Sequence, residues 1–345
     1  MLVTLPLVLF IVLTELSIGS VIVLVLLDWR NEVKRGFLTS YAMIYLALAG
    51  LAYLFQQNFS TPQLLDTFAQ LDKTWTPYLS LPLLLFFLLM IPYNVLLWID
   101  KRAGVDGKQP AKKAIEKQDK EDEEADIEVA PARSGFSVVR LLRIIDGAAL
   151  IIAGLAMLFV MAMIYRPLAD VNFDGVFTVA GFFAAALALG GVMTAMWLGH
   201  WYLVTPALSE KPLQFATTLV LLGVLAQLIF SFTSGTVATA SAQNVQNSGT
   251  AIAATTPTIH AAPTTTSGKP QLNAIGTPVV APLSISAIGW IRILVSFVMP
   301  LILGALAWKL VRDRSFQSAT GMLYLIVVCT LAGEAIARGL FLVVL

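Results

Sequence analysis

Eight apolar runs, each long enough to cross a lipid bilayer, dominate this sequence of 345 residues. A membrane-spanning helix needs about 20 mostly apolar residues, because the hydrocarbon core is roughly 30 Å thick. The runs cover about residues 3–27, 37–57, 77–99, 141–165, 175–199, 213–233, 285–308 and 319–344. None has the alternating pattern of a membrane β-barrel strand. The sequence therefore predicts an all-α fold, a polytopic membrane bundle of eight transmembrane helices.

Composition and the segments between the runs complete the predicted organisation. With 58% hydrophobic and 12% charged residues, the chain is excluded from the water-soluble globular class. The first run lacks a basic leader and a small-residue cleavage site, so it is expected to be a retained helix. Five parts follow: three spans in 1–99, a charged linker in 100–140, three spans in 141–233, a loop rich in Ser, Thr, Ala and Pro in 234–284, and two spans in 285–345.

The distribution of Lys and Arg predicts the orientation, because basic loops stay in the cytoplasm. Seventeen basic residues fall in the connections after spans one, three, five and seven, and ten of these lie in 100–143. The opposite connections hold only Lys73, Arg166 and Lys269. Both termini are therefore expected outside, in a bacterial inner membrane.

Two connections have compositions that disfavour folding on their own. Residues 103–135 mix Lys with an acidic run from Asp119 to Glu128, which is typical of a solvated or partner-ordered linker. Residues 234–283 are of low complexity and are expected to form a flexible external loop. His260 lies in that loop and is expected to be incidental.

A short helix is predicted on the outer membrane surface between spans two and three. Thr61 and Pro62 form a plausible helix start. Apolar side chains then recur at helical spacing, at Leu64, Phe68, Leu71 and Trp75.

A weak internal repeat relates the two halves of the chain. "ELSIGSVIVLVLLDW" at the end of span one aligns with "ALALGGVMTAMWLGH" at the end of span five. The alignment matches Leu16 with Leu187, Gly19 with Gly190, Val21 with Val192 and Leu27 with Leu198. Four spans separate the segments, so both run in the same direction, as a 4+4 duplication requires. Generic apolar composition is the alternative explanation.

Missing motifs exclude several classes of function. The single cysteine, Cys329, cannot supply an iron–sulfur cluster, a CxxCH haem attachment or an internal disulfide. Bis-histidine haem needs two facing imidazoles, and only His200 lies near a span. There is no P-loop, GxSxG or HExxH motif, and a net charge of +1 gives no basis for nucleic-acid binding. We expect no haem, iron–sulfur cluster, metal or nucleic acid on this chain.

Three ionisable residues at membrane depth are the strongest candidates for function. Glu15 lies within span one, and Glu334 and Arg338 lie four residues apart on one face of span eight. Charged groups are costly inside a membrane and often serve function there. They could form an ion pair that clamps helices together, or a site where a carboxylate transfers protons.

The two ends of the chain resemble a known family of membrane subunits. "LPLVLFIVLTELSIGSVIVLVLL" is similar to the opening helix of the dimethyl sulfoxide reductase membrane anchor and its NrfD-like relatives, and "GEAIARGLF" resembles their ending motif. Eight spans with both termini outside also agree with this family. The loop after span two has no histidine, so the quinone-site residues of the family are not carried over there.

The resemblance implies a subunit without a redox centre of its own. Such a subunit binds quinol or quinone between its helices and exchanges electrons with an iron–sulfur partner, which serves a catalytic subunit. Glu334 and Arg338 fall in the ending motif and Glu15 in the matching first helix, so these residues are expected to handle protons beside the quinone.

The end of span five, "MWLGHWY", offers a second candidate site. Trp197, Trp201 and Tyr202 are typical of an interfacial aromatic belt. His200 lies among them and has three possible roles. It could anchor the helix end, it could bind a quinone ring together with Trp197 or relay protons, or it could bind haem.

Two other classes of protein remain open. A secondary transporter or ion pathway would also carry charges at mid-membrane, with spans broken at Pro82, Pro92 or Pro300. A structural or assembly subunit of a respiratory or photosynthetic complex would use the same charges only to hold its helices together.

Overall fold

The chain folds into a bundle of long helices. The computed structural model describes residues 5–100, 103, 138–168, 175–205, 208–233 and 290–342. Within these ranges there is no β-strand, and eight helices are long and apolar enough to cross a membrane. They are α1 (Leu5–Arg30), α2 (Arg35–Phe59), α3 (Ser80–Ile99), α4 (Val138–Tyr165), α5 (Val176–Val204), α6 (Lys211–Thr233), α7 (Trp290–Arg312) and α8 (Phe316–Leu342). The predicted all-α bundle is confirmed, and the chain is an integral membrane protein.

Several predicted boundaries differ from the observed ones. Helix α4 begins at Val138 and not at 141, because its first turns continue through charged residues that a hydropathy window excludes. The charged linker is correspondingly shorter than the predicted 100–140. Most of it, the Ser/Thr/Ala/Pro loop and His260 lie outside the described residues.

The predicted surface helix between α2 and α3 is wrong in its length. It begins as expected, since Thr61 Oγ1 accepts a hydrogen bond from Leu64 N at 3.3 Å, but the helix ends at Leu65. Thr67 Oγ1 then donates to the Leu64 carbonyl at 2.6 Å, and the Asp72 amide donates to the Ile164 carbonyl at 3.0 Å. The Thr67 bond favours a turn because local side-chain partners compete with the helical ladder, and the Asp72 bond ties the segment to α4.

Helix α1 lies at the centre of the bundle. It packs against α2, α4, α5 and α8, and most of its side chains are buried. The apolar side chains of α1 lie on all sides of the helix and do not form a single stripe. This pattern is typical of a helix enclosed by others. The polar residues in the middle of α1, Thr14, Glu15, Ser17 and Ser20, are therefore placed inside the protein.

The two halves of the chain pack in the same order. In the first half, α1 and α3 both contact α2 and α4; in the second half, α5 and α7 both contact α6 and α8. Between the halves, α1 packs on α5, and the contact of α1 with α8 corresponds to that of α5 with α4. This is the arrangement that a duplicated four-helix unit gives, with α1 and α5 at its centre.

Helices α1 and α5 cross at two glycines. A Cβ added to Gly19 would overlap the Ala186 carbonyl oxygen, and one added to Gly190 would overlap the backbone of Gly19 and Ser20. Small residues permit this approach, and close backbone packing is a main source of helix association in membranes. Gly19 and Gly190 are also the pair matched by the internal repeat.

Candidate functional site

The three predicted membrane charges meet between the first and last helices. Arg338 on α8 donates a hydrogen bond from Nη2 to Glu15 Oε1 on α1, across 323 positions of sequence. Its Nε lies 2.8 Å from Glu334 Oε1, one helical turn earlier on α8. Glu15 is fully buried, and Glu334 and Arg338 are nearly so. The guanidinium therefore bridges two carboxylates inside the bundle, and we name Glu15, Glu334 and Arg338 the bridging cluster.

The two carboxylates of the bridging cluster have different partners. Glu334 has a partner at each oxygen: Gln227 on α6 donates from Nε2 to Oε2, and Arg338 Nε forms an ion pair with Oε1 without a hydrogen bond. Glu15 is bound only at Oε1, and its Oε2 is buried without a hydrogen-bond partner. One oxygen in the site is therefore free to accept a further donor.

Aromatic side chains and a second cation complete the surroundings. The Arg338 guanidinium carbon lies 3.9 Å from the ring centroid of Phe182 on α5, a cation–π contact. Phe182 in turn stacks on Tyr165 of α4, with centroids 6.3 Å apart and an interplanar angle of 11°. Half-buried Arg292 on α7 interacts electrostatically with Glu334. The site is thus drawn from five helices besides α1.

Helix α7 is irregular beside the bridging cluster. It forms a π-helix over Leu294–Val298, just before Pro300. Proline has no N–H to continue the ladder, which explains the irregular turn, and π-turns are frequent at functional sites. A Cβ on Gly333 would meet Ser296 Cα at 2.7 Å, so the π-helix packs directly against the residue that precedes Glu334. Helix α3, in contrast, continues through Pro92.

His200 and Trp197 lie apart from the bridging cluster. Glu15 precedes the Gly19–Gly190 crossing by one turn and His200 follows it by ten residues, so they are about 20 Å apart along the bundle. His200 is exposed, with Nδ1 3.5 Å from the Tyr324 hydroxyl. Trp197 packs on Tyr41 at a centroid distance of 5.3 Å. The structure does not bring these residues into one site with the three charges.

A second buried charge cluster lies at the opposite end of the bundle, where α1 ends. Arg143 Nε is 3.0 Å from Asp28 Oδ2, and its Nη1 donates to Asp100 Oδ2 at 2.8 Å. The Tyr93 hydroxyl also donates to Asp28 Oδ2, at 3.2 Å. These contacts join the ends of α1, α3 and α4.

An exposed ion pair at the same end joins two connections between helices. Arg314 Nη2 donates to Glu210 Oε2 at 2.7 Å. The Glu210 carboxyl accepts a hydrogen bond from the backbone amide of Glu210. This bond, together with the Arg314 guanidinium, holds the pKa of the Glu210 carboxyl below its ordinary value. This pair links the α5–α6 connection to the α7–α8 connection.

Sequence reasoning missed Gln227 and the Asp28–Arg143–Asp100 cluster. Gln227 was detectable as a polar side chain in the outer turns of an apolar run. Arg143 was counted among the basic residues of a connection, and Asp28 and Asp100 were not singled out, because hydropathy alone does not tell whether a helix end turns toward water or toward the bundle. Among the described residues, no group of three His, Cys, Asp or Glu side chains could hold a metal ion.

Searches of family models, curated proteins and solved structures gave no match to this chain. Fold and site together define an integral membrane protein whose described residues form eight apolar helices and bury a carboxylate–guanidinium–carboxylate cluster among them.

Proposed function

We propose that this chain is the membrane subunit of a redox complex, which binds quinol or quinone beside the bridging cluster and exchanges electrons with an iron–sulfur partner. One observation carries the proposal. The two segments that resemble the reductase-anchor family, at opposite ends of the chain, meet in the fold through the ion pair between Glu15 and Arg338.

The residues of the cluster fit a quinol headgroup. Glu15 Oε2 has no partner and can accept a hydrogen bond from a hydroxyl, while the buried rings of Phe182 and Tyr165 stack on each other beside Arg338. Apolar sites with a few placed polar groups are typical of such ligands. A bound quinol supplies two electrons and two protons on oxidation. Glu15 would accept the two protons one at a time and pass each on, the two electrons would go to the iron–sulfur partner, and Arg338 would hold the carboxylate in place.

The proposed orientation places this chemistry on the outer side of the membrane. Glu15 lies about 15 Å from the start of α1 and Glu334 about 12 Å from the end of α8, so both are nearer the Leu5 end of the bundle. The basic connections lie at the other end. With both termini outside a bacterial inner membrane, protons would leave toward the outside.

Co-purification tests whether the chain has an iron–sulfur partner. We expect mass spectrometry of the chain, isolated from native membranes in mild detergent, to find a stoichiometric iron–sulfur subunit together with a catalytic subunit. Recovery of the chain alone at normal yield would contradict the proposal and favour a transporter.

Glu15→Gln tests the role of the carboxylate. We expect quinol oxidation by the assembled complex to fall by a factor of about 10²–10⁴, the usual contribution of a general acid or base. Turnover is measured with a soluble quinol analogue, and assembly by subunit stoichiometry. Glu210→Gln makes the same chemical change in the exposed ion pair and should leave turnover unchanged. Unchanged turnover in an assembled Glu15→Gln complex would contradict the proposal, and failed assembly would favour a structural role.

A secondary transporter is the second candidate, and the π-helix of α7 favours it. Transporters often bind substrates where spanning helices are interrupted. Proton uptake by vesicles in response to a substrate, without a redox partner, would support this alternative.

A further inference from the structure

We infer that Glu15 is the carboxyl of the bridging cluster that gains and loses a proton, and that Gln227 is a positioning residue that keeps Glu334 as a fixed anion. The inference rests on the proton-handling part of the proposed function and not on quinol. A chain that binds no quinol would still show it.

Hydrogen bonding at Glu334 supports the fixed anion. The amide N–H of Gln227 and the guanidinium of Arg338 are donors only. Gln227 faces Oε2 of Glu334 and Arg338 faces Oε1, so neither oxygen meets an acceptor in these two partners. A carboxylate with a hydrogen bond at one oxygen and a cation beside the other is stabilised in its charged form. Protonation of Glu334 would need Gln227 to turn its carbonyl oxygen toward the acid.

Glu15 is in the opposite situation. Its one bond is to a guanidinium that it shares with Glu334, and its second oxygen is buried without a donor. Burying a charge that is not fully hydrogen-bonded is costly, so Glu15 exchanges a proton more readily than Glu334 does. The proton therefore moves at Glu15.

The other groups that face Glu15 do not change this assignment. Among the described residues of the helices packed on α1, the charged groups that act on Glu15 are Glu334 and Arg338 of α8, and uncharged Tyr165 of α4 stacks on Phe182 beside Arg338. Helix α5 contributes uncharged Phe182 and Ala186, while Tyr45 of α2 is hydrogen-bonded to Thr194 at 2.9 Å.

Infrared difference spectroscopy during a pH titration tests the inference on the purified full-length chain in lipid nanodiscs. The protonated-carboxyl stretch, identified by its shift in D₂O, should titrate in the wild type. Because the chain has 21 Asp and Glu residues, the signal is read as the wild-type spectrum minus a variant spectrum. Subtracting the Glu15→Gln spectrum should leave one titrating carboxyl band, and subtracting the Glu334→Gln spectrum should leave none. A band left by the Glu334→Gln subtraction, with none left by the Glu15→Gln subtraction, would overturn the inference. Asp146→Asn, at a half-buried acid of α4, corrects for other carboxyl groups.

Gln227→Met keeps the inference testable even if Glu15→Gln fails to fold, because it leaves both ion pairs intact. Removing the donor at Glu334 Oε2 should make Glu334 titrate as well, so that a second carboxyl signal appears. Gln214→Met on the same helix is the matched control and should leave one signal. A Gln227→Met spectrum identical to the wild type would overturn the positioning role.

Discussion

Arg338→Met is expected to reduce the free energy of unfolding by about 3–5 kcal/mol, the usual cost of breaking a buried ion pair on one side. The substitution leaves Glu15 and Glu334 close together without the guanidinium they share. Unfolding of the chain in mixed micelles, followed by circular dichroism, measures the loss. Arg312→Met, at an exposed arginine at the end of α7, is the control and should change stability only slightly. A stable Arg338→Met chain would mean that water screens the cluster.

A variant in which the whole bridging cluster is apolar distinguishes a structural role, holding α1 against α8, from a role in proton transfer. Replacing a complete buried ionic group by apolar residues of similar volume is often neutral or stabilising. Glu15→Met, Glu334→Met and Arg338→Met combined with Gln227→Leu should therefore recover most of the stability lost in Arg338→Met. If the cluster serves only to hold α1 against α8, this variant should also assemble and work normally. The proposed function requires that it be inactive.

Gly190→Leu is expected to prevent folding. Even the first atom of the new side chain would overlap the backbone of Gly19 and Ser20, and backbone cannot move aside as a side chain can. We expect the loss in free energy of unfolding to be larger than the value typical of overpacking a core, which is about 1–3 kcal/mol. The measurement is the yield of monodisperse chain by size-exclusion chromatography after extraction.

Gly181→Ala on the same helix is the matched control for Gly190→Leu. An added Cβ at Gly181 meets no atom within 4 Å, so this change should be tolerated or slightly stabilising through helix propensity. A monodisperse Gly190→Leu chain would mean that α1 and α5 do not cross at these glycines.

The sequence predicted the fold well, because span length and apolar content depend on the bilayer and not on tertiary detail. Within the candidate site, the pairing of Glu334 with Arg338 was predictable from their spacing on one helix. The contact of Arg338 with Glu15 was not, since it joins helices at opposite ends of the chain. The partner of Glu334 on α6 and the burial of Asp28 and Arg143 depend on how helices are rotated, which hydropathy does not encode.

The doubled helix packing gives the bundle two equivalent contacts between its halves, and they carry different side chains. Between α1 and α8 the contact is ionic, through Glu15 and Arg338. Between α5 and α4 it is aromatic, through Phe182 and Tyr165, and the residue aligned with Glu15 is Ala186. A scaffold built from two similar halves thus carries the ionic contact at only one of its two equivalent helix pairs, and the described residues of α4 and α5 hold no counterpart of the bridging cluster where they meet.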